Sequence, residues 1–194
     1  MTLFAHENDF NAAFLSAAVA NKIPVSVLKG FAALESAFNA QAFRQEKNDA
    51  SYGLMQILFK TAQGAGYKGA ASGLFDPATN IKYGAAFLAG LLKKYPDVLD
   101  AIAAYNMGYP RKAADTTDII KGIYGTPAAD WVYANQPYVD RVAAYIAYYQ
   151  AVENTDTAKA ATLLDLIKKK VMRQAASFLD PSSLDSFRGL WPGR

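Results

Sequence analysis

Residues Ala33 to Gln56, ALESAFNAQAFRQEKNDASYGLMQ, decide how the chain is read. They begin on an apolar stripe at helical spacing, Val27, Phe31, Leu34 and Phe38, beside which stands one carboxylate, Glu35. A carboxylate flanked by Phe31, Leu34 and Phe38 at a helix end is partly desolvated, which disfavours its ionised form and raises its pKa. Such a group stays protonated near neutral pH and can serve as a general acid. The same residues also admit an ordinary glutamate on an amphipathic helix, paired with Lys29 or Arg44. Past Glu35 the stretch turns polar and charged, then resumes at Gly53-Leu54-Met55-Gln56.

Outward from there, Asn8 to Lys22 has helical periodicity and predicts a first helix, broken at Ile23-Pro24. Pro24 stands at or just before the first turn of a second helix that runs to about Ala37. Asn39 to Tyr52 predicts a loop with room for a small hairpin, and Gly53 to Gln63 a helix ended by Gly64 and Gly66. Asp76-Pro77 is the strongest helix start, a capping Asp with Pro behind it and Ile81, Ala85, Leu88, Leu92 and Tyr95 at helical spacing before Pro96. Asp97 caps the next helix, through Val98, Ile102 and Tyr105 to Gly108. Between Arg111 and Pro137 only a short helix near Asp115 to Gly122 is predicted. Tyr138 to Val152 and Thr157 to Leu179 read as further helices, and the Pro-, Ser- and Gly-rich tail from Asp180 as irregular. Sustained strand alternation and fixed-period repeats are not found. The expected architecture is mainly α with about eight helices, residues 1–152 forming one domain and 153–194 a C-terminal helical extension.

The composition narrows the chemistry. A chain of 194 residues, 52% hydrophobic, can bury one good core. The net charge of +3 suits an anionic polymer but falls short of a nucleic-acid footprint. There are no cysteines and one histidine, His6, so thiolate chemistry, Ser-His-Asp triads and multi-histidine metal sites lack material. Neither metal nor cofactor is expected. Phe14 to Ala20 imitates a signal core, but Glu7 and Asp9 precede it without any Lys or Arg, so it reads as a mature helix. With every apolar run short of the ~18 residues of a membrane span, a soluble chain is expected.

Further candidates lie downstream. The amides of Gln56 and Asn106 can hydrogen-bond acetylated sugars or simply satisfy backbone groups. Tyr105 and Tyr138 read first as packing residues, as do Tyr145, Tyr148 and Tyr149 at i, i+3, i+4 spacing. Lys168-Lys169-Lys170 reads as a solvated face that can also dock on an anionic wall or a larger assembly.

Taken together, Glu35-Ser36-Ala37-Phe38-Asn39, Gly53-Leu54-Met55-Gln56-Ile57, Asp76-Pro77 with Asn80-Ile81 and Gly84, Ala103-Ala104-Tyr105-Asn106-Met107-Gly108, and Tyr138-Val139 occur in an order that resembles the SLT domain of lytic transglycosylases, relatives of goose-type lysozyme. The resemblance covers about Val25 to Ile146. It implies a lysozyme-like α domain with two helical lobes around a groove for a glycan strand of bacterial peptidoglycan. It also implies that Glu35 is the single catalytic acid/base, with Ser36, Met55, Gln56, Tyr105, Asn106 and Tyr138 as substrate-binding residues around it. The reaction implied is cleavage of the MurNAc-GlcNAc bond with closure of a 1,6-anhydro ring.

One departure matters. The loop from Arg44 to Tyr52 is longer than in the common soluble transglycosylases and replaces their Ser-Pro-x-Gly-Ala pattern. It supplies Glu46 and Asp49, acids able to position water, so a hydrolytic muramidase is the second reading. A non-enzymatic structural or glycan-binding part of a phage particle or secretion machine is the third. The expected site of action is the cell wall or periplasm, and the expected setting a phage virion or lysis system.

Overall fold

A computed structural model describes residues 2–179, and the irregular tail expected from Asp180 lies outside the described residues. Over that range nine α-helices and one small sheet follow in the order α1 (Asn11–Asn21), α2 (Val25–Ser36), β1 (Phe43–Gln45), β2 (Ala50–Tyr52), β3 (Ile57–Leu58), α3 (Phe59–Gly64), α4 (Pro77–Lys94), α5 (Val98–Met107), α6 (Asp118–Tyr124), α7 (Gln136–Glu153), α8 (Thr157–Lys168) and α9 (Met172–Ala176). The mainly α architecture is the one expected.

Helix α7 is the axis of the molecule. Val139, Val142, Ala144, Ile146, Ala147 and Tyr148 leave it in several directions and are all buried, as befits a helix covered on most of its faces. Gly30 of α2 lies against it so closely that a Cβ there would stand 2.4 Å from Ile146 Cγ1 and 3.0 Å from the Ile146 backbone nitrogen. Only glycine lets these two backbones approach to that distance. Ala160, Leu163 and Ile167 of α8 and Ala175 of α9 enter the same hydrophobic cluster as α7, on the far side of the expected boundary at residue 152.

The exit of α2 aims the chain at the site. Ala37 and Phe38 both adopt left-handed backbone, φ 51° and 61°, although neither is glycine. Phe38 is buried, with Phe4, Phe14 and Tyr149 rings 5.6, 6.0 and 6.1 Å away. Burying such a ring is worth about 1.5–3 kcal/mol, enough to offset a left-handed residue at about 1–2 kcal/mol. The reversal leaves Glu35 on the last turn of α2 and sends the chain across to an antiparallel sheet of order β1-β2-β3, with Arg44 opposite Ser51.

Three expectations are corrected. Gly53 to Gln56 is a turn, not the start of a helix: Asn80 of α4 accepts the Met55 N–H at 2.8 Å and donates to the carbonyls of Tyr52 and Leu74 at 2.7 and 2.8 Å. Those bonds tie the segment down, Gly53 takes φ 64°, and α3 begins only at Phe59. Thr157 to Leu179 is not one helix, because Lys170 turns left-handed at φ 61° and separates α8 from α9. The first helix starts at Asn11 instead of Asn8, since buried Glu7 accepts the N–H groups of Leu3 and Phe4 and holds the preceding residues in turns. Elsewhere the caps act as their residues suggest: Asp76 accepts from Thr79 N–H and Asp97 from Leu99 N–H, both at 2.8 Å.

Three apolar clusters form among the described residues, one of them Leu91, Ala101 and Ala104 between α4 and α5. The large one unites α1, α2, α4, α5, α7, α8 and α9. A smaller one, Ile57, Ala62, Tyr67 and Leu74, supports the sheet and α3. The groove opens between the helical body and this smaller lobe.

Candidate active site

Glu35 and Tyr138 come from the two helices that meet at Gly30. The Tyr138 hydroxyl donates to Glu35 Oε1 at 2.5 Å. Neither of the cations considered beside Glu35 forms an ion pair with it among the described residues. Lys29 is buried near Glu7 and Glu153 and bonds Asn8 Oδ1 at 3.1 Å, while Arg44 pairs with Glu46 at 3.1 Å. Burial raises the Glu35 pKa from its ordinary 4.5 to about 7, against smaller lowering influences from the Tyr138 hydroxyl and the guanidinium groups of Arg44 and Arg141. Burial, together with the Glu35 charge, lifts the Tyr138 and Tyr105 hydroxyls well above their usual range, so both remain donors.

The groove beside Glu35 has a volume of about 920 Å³, at the upper end of ordinary ligand sites. Leu34, Glu35, Tyr105, Asn106, Tyr138 and Arg141 line the helical wall. Arg44, Glu46, Asp49 and Lys60 line the opposite wall, and Ile123 and Tyr124 of α6 lie at its end. Such a lining combines apolar surface with donors and acceptors, as a sugar polymer requires.

Of the residues expected at the site, Glu35, Gln56, Tyr105, Asn106 and Tyr138 line this groove together. Tyr105 is packed between Phe31 and Phe87, ring centres 4.6 and 5.2 Å away, and donates to the Met55 carbonyl at 2.8 Å. Gln56 spends Nε2 on the carbonyls of Ala42 and Gly53, both at 3.0 Å, which leaves Oε1 for the groove. Ser36 and Met55 stand behind the groove and are not part of its lining. The Ser36 hydroxyl donates to the Leu54 carbonyl at 2.8 Å and so ties the end of α2 to the Gly53-Gln56 turn. The Met55 side chain is fully buried and packs on α4 where Gly84 makes room; a Cβ there would lie 2.7 Å from its sulfur. For these two residues the contacts in the structure are ones that support the site from behind.

The loop acids differ from each other. Asp49 uses both carboxylate oxygens on backbone N–H groups, Ala50 at 2.8 Å and Lys60 at 3.1 Å, and so holds the hairpin and the start of α3. Glu46 is held by Arg44. Residues that sequence reasoning passed over are Arg141, Tyr124 and Asn135. Arg141 lies one helical turn after Tyr138 and was findable from that spacing, whereas Tyr124 and Asn135 sit in a segment without periodicity. His6 is an exposed partner of Asp9, and no His/Cys/Asp/Glu cluster fit for a metal occurs among the described residues. Tyr148 and Tyr149 are buried packing residues, as their spacing suggests. No helix among the described residues is long and apolar enough to cross a membrane.

A helical, lysozyme-like body with one desolvated carboxylate in an open groove defines the class of protein. The chain belongs to the transglycosylase SLT domain family, whose pattern matches residues 12–118. It is 31% identical over 165 residues to a Haemophilus influenzae protein assigned to the soluble lytic murein transglycosylases, covering 78% of this chain and 26% of that one. Among solved structures it resembles the lytic transglycosylase Slt of Pseudomonas aeruginosa, determined as an inactive mutant, with a TM-score of 0.60, 23% identity, and coverage of 78% and 25% of the two chains. It also resembles the 70 kDa soluble lytic transglycosylase of Escherichia coli, with a TM-score of 0.56, 24% identity, and coverage of 74% and 24%. These two likenesses establish the fold. The chain spans about a quarter of the length of each of these relatives.

Proposed function

We propose that the protein is a lytic transglycosylase that cuts the β-1,4 bond between N-acetylmuramic acid and N-acetylglucosamine in peptidoglycan and leaves 1,6-anhydro ends. The observation that carries this reading is Glu35 itself, a carboxyl group raised to about 7, held by Tyr138 and open to a polymer-sized groove. Glu35 delivers its proton to the glycosidic oxygen as the bond to the muramoyl C1 breaks, and the substrate's own 2-acetamido group stabilises the developing positive centre. The carboxylate so formed takes the proton of the muramoyl C6 hydroxyl, whose oxygen closes on C1. Glu35 is protonated again at the end, and water is not consumed.

Proton transfer by a placed acid supplies about 10²- to 10⁴-fold, and the rest comes from binding and distorting the strand. The engagement of both Asp49 oxygens in backbone bonds, which ties that acid to the hairpin and the start of α3, supports ring closure over hydrolysis, and Glu46, with one oxygen on Arg44, is the acid left to test. The unmutated acid at position 35 favours an enzyme over a purely structural glycan-binding part.

Purified sacculi provide the test. The wild-type protein should solubilise them, and Glu35→Gln should keep the fold and lose that activity; an active Glu35→Gln variant would contradict the assignment. The proposal extends to the setting read from the sequence, a phage particle or lysis system, for which immunodetection of the chain in purified virions is the check.

A further inference from the structure

Asn106 lies in the last turn of α5, and its Oδ1 accepts two hydrogen bonds, from the Tyr124 hydroxyl at 2.5 Å and from Asn135 Nδ2 at 3.1 Å. The direction of these bonds is set by the backbone. Asn135 is fully buried, and its Nδ2 also donates, at 3.2 Å, to the Ala103 carbonyl, a group that can only accept. Turning the Asn135 amide over would press its Oδ1 against that carbonyl. The orientation is kept although it leaves Asn135 Oδ1 buried with no partner among the described residues. Since Asn135 presents a donor, Asn106 has to meet it with Oδ1, and the rotatable Tyr124 hydroxyl takes the other lone pair. Asn106 Nδ2 is then left at the groove, with no hydrogen bond among the described residues.

We infer that Tyr124 and Asn135 are positioning residues that hold Asn106 as an obligate donor to an acceptor oxygen of the bound glycan, making α6 part of the recognition surface. Both residues lie beyond the family's matched segment, residues 12–118. The inference rests on the glycan reading above and adds to it the polarity of one contact and the residues that enforce it.

The test is calorimetric titration of tetra-N-acetylchitotetraose, a neutral probe, into the Glu35→Gln protein and into the same protein carrying Asn106→Asp, Tyr124→Phe or both. Asn106→Asp still accepts from Tyr124 and Asn135, so its melting temperature should not fall. It has no donor for the groove, and its Kd should weaken about tenfold or more, the scale of a lost hydrogen bond to a group left unpaired. Tyr124→Phe removes one of the two bonds that hold the amide, loosens its orientation and should weaken binding about three- to tenfold. Because no donor remains to be positioned in Asn106→Asp, adding Tyr124→Phe to it should weaken binding no further. A merely structural tyrosine would instead give additive losses, and additivity, or parental affinity in either single variant, overturns the inference. Absence of any binding by the Glu35→Gln parent would overturn the glycan reading and this inference with it.

Discussion

On one wall of the groove, Glu35 and Tyr138 project from helices whose backbones touch at Gly30 and Ile146. On the other, Arg44 and Glu46 sit on a three-residue strand and its turn, and the Arg44 side chain is 74% exposed. The first wall is fixed by close packing, which places a carboxyl and a hydroxyl oxygen 2.5 Å apart and keeps water from stabilising the charge of Glu35. The second wall consists of side chains held mainly by one another and by a hairpin. A proton donor has to be placed to within a fraction of an ångström, while a polymer can be held by contacts that each contribute little. On the proposed function the chemistry falls on the packed side, while Arg44, Glu46 and Lys60 gather on the exposed side.

If that contrast is right, changes on the packed wall should dominate. Glu35→Gln should lower kcat by about 10²- to 10⁴-fold in assays of sacculus solubilisation. The same change should stabilise the protein in a pH-dependent way. The folded-state pKa of Glu35 is raised, so its favourable contribution is present below about 4.5 and is lost as pH rises through about 7. Urea denaturation should therefore find Glu35→Gln more stable than wild type above pH 7, by up to about 3 kcal/mol, and little different below pH 4.5.

Gly30→Ala probes the packing itself. Its methyl group would meet Ile146 at 2.4 Å, and chemical denaturation should show a loss of about 1–3 kcal/mol, with activity falling further than stability alone explains. Tyr138→Phe removes the hydroxyl that favours the ionised carboxylate, so the Glu35 pKa should rise and the alkaline limb of the pH–rate profile should move up, with kcat about tenfold lower from the loss of one positioned hydrogen bond. On the exposed wall, Glu46→Gln should leave the rate within about threefold of wild type, the scale of a surface ion pair, and the products unchanged. A collapse of activity there would break the contrast and revive the hydrolytic reading.

Local rules made much of the fold legible. Asp76-Pro77 and Asp97 cap helices because their side chains reach N–H groups two or three residues on, and the setting of Glu35 follows from Phe31 and Leu34 on its own helix and Phe38 just past its end. What stayed illegible depends on partners distant in sequence. Gly53 to Gln56 looks helical until Asn80 captures the Met55 N–H, and the break between α8 and α9 falls at a lysine with no glycine or proline to mark it. The site shows the same division. Glu35, Tyr105 and Tyr138 could be named from motifs, whereas the retreat of Ser36 and Met55 behind the groove, and the arrival of Tyr124 and Asn135 beside Asn106, depend on how α6 and the turn at Gly53 dock.

The central claim is that Glu35 acts alone, first as acid and then as base, with the substrate's own C6 hydroxyl as nucleophile. Mass spectrometry of the muropeptides released from purified sacculi tests it most directly. The account predicts fragments ending in 1,6-anhydromuramic acid, with no water added and no reducing muramic end. Reducing ends carrying the mass of one water would contradict it and transfer the second step to a water held by the hairpin wall.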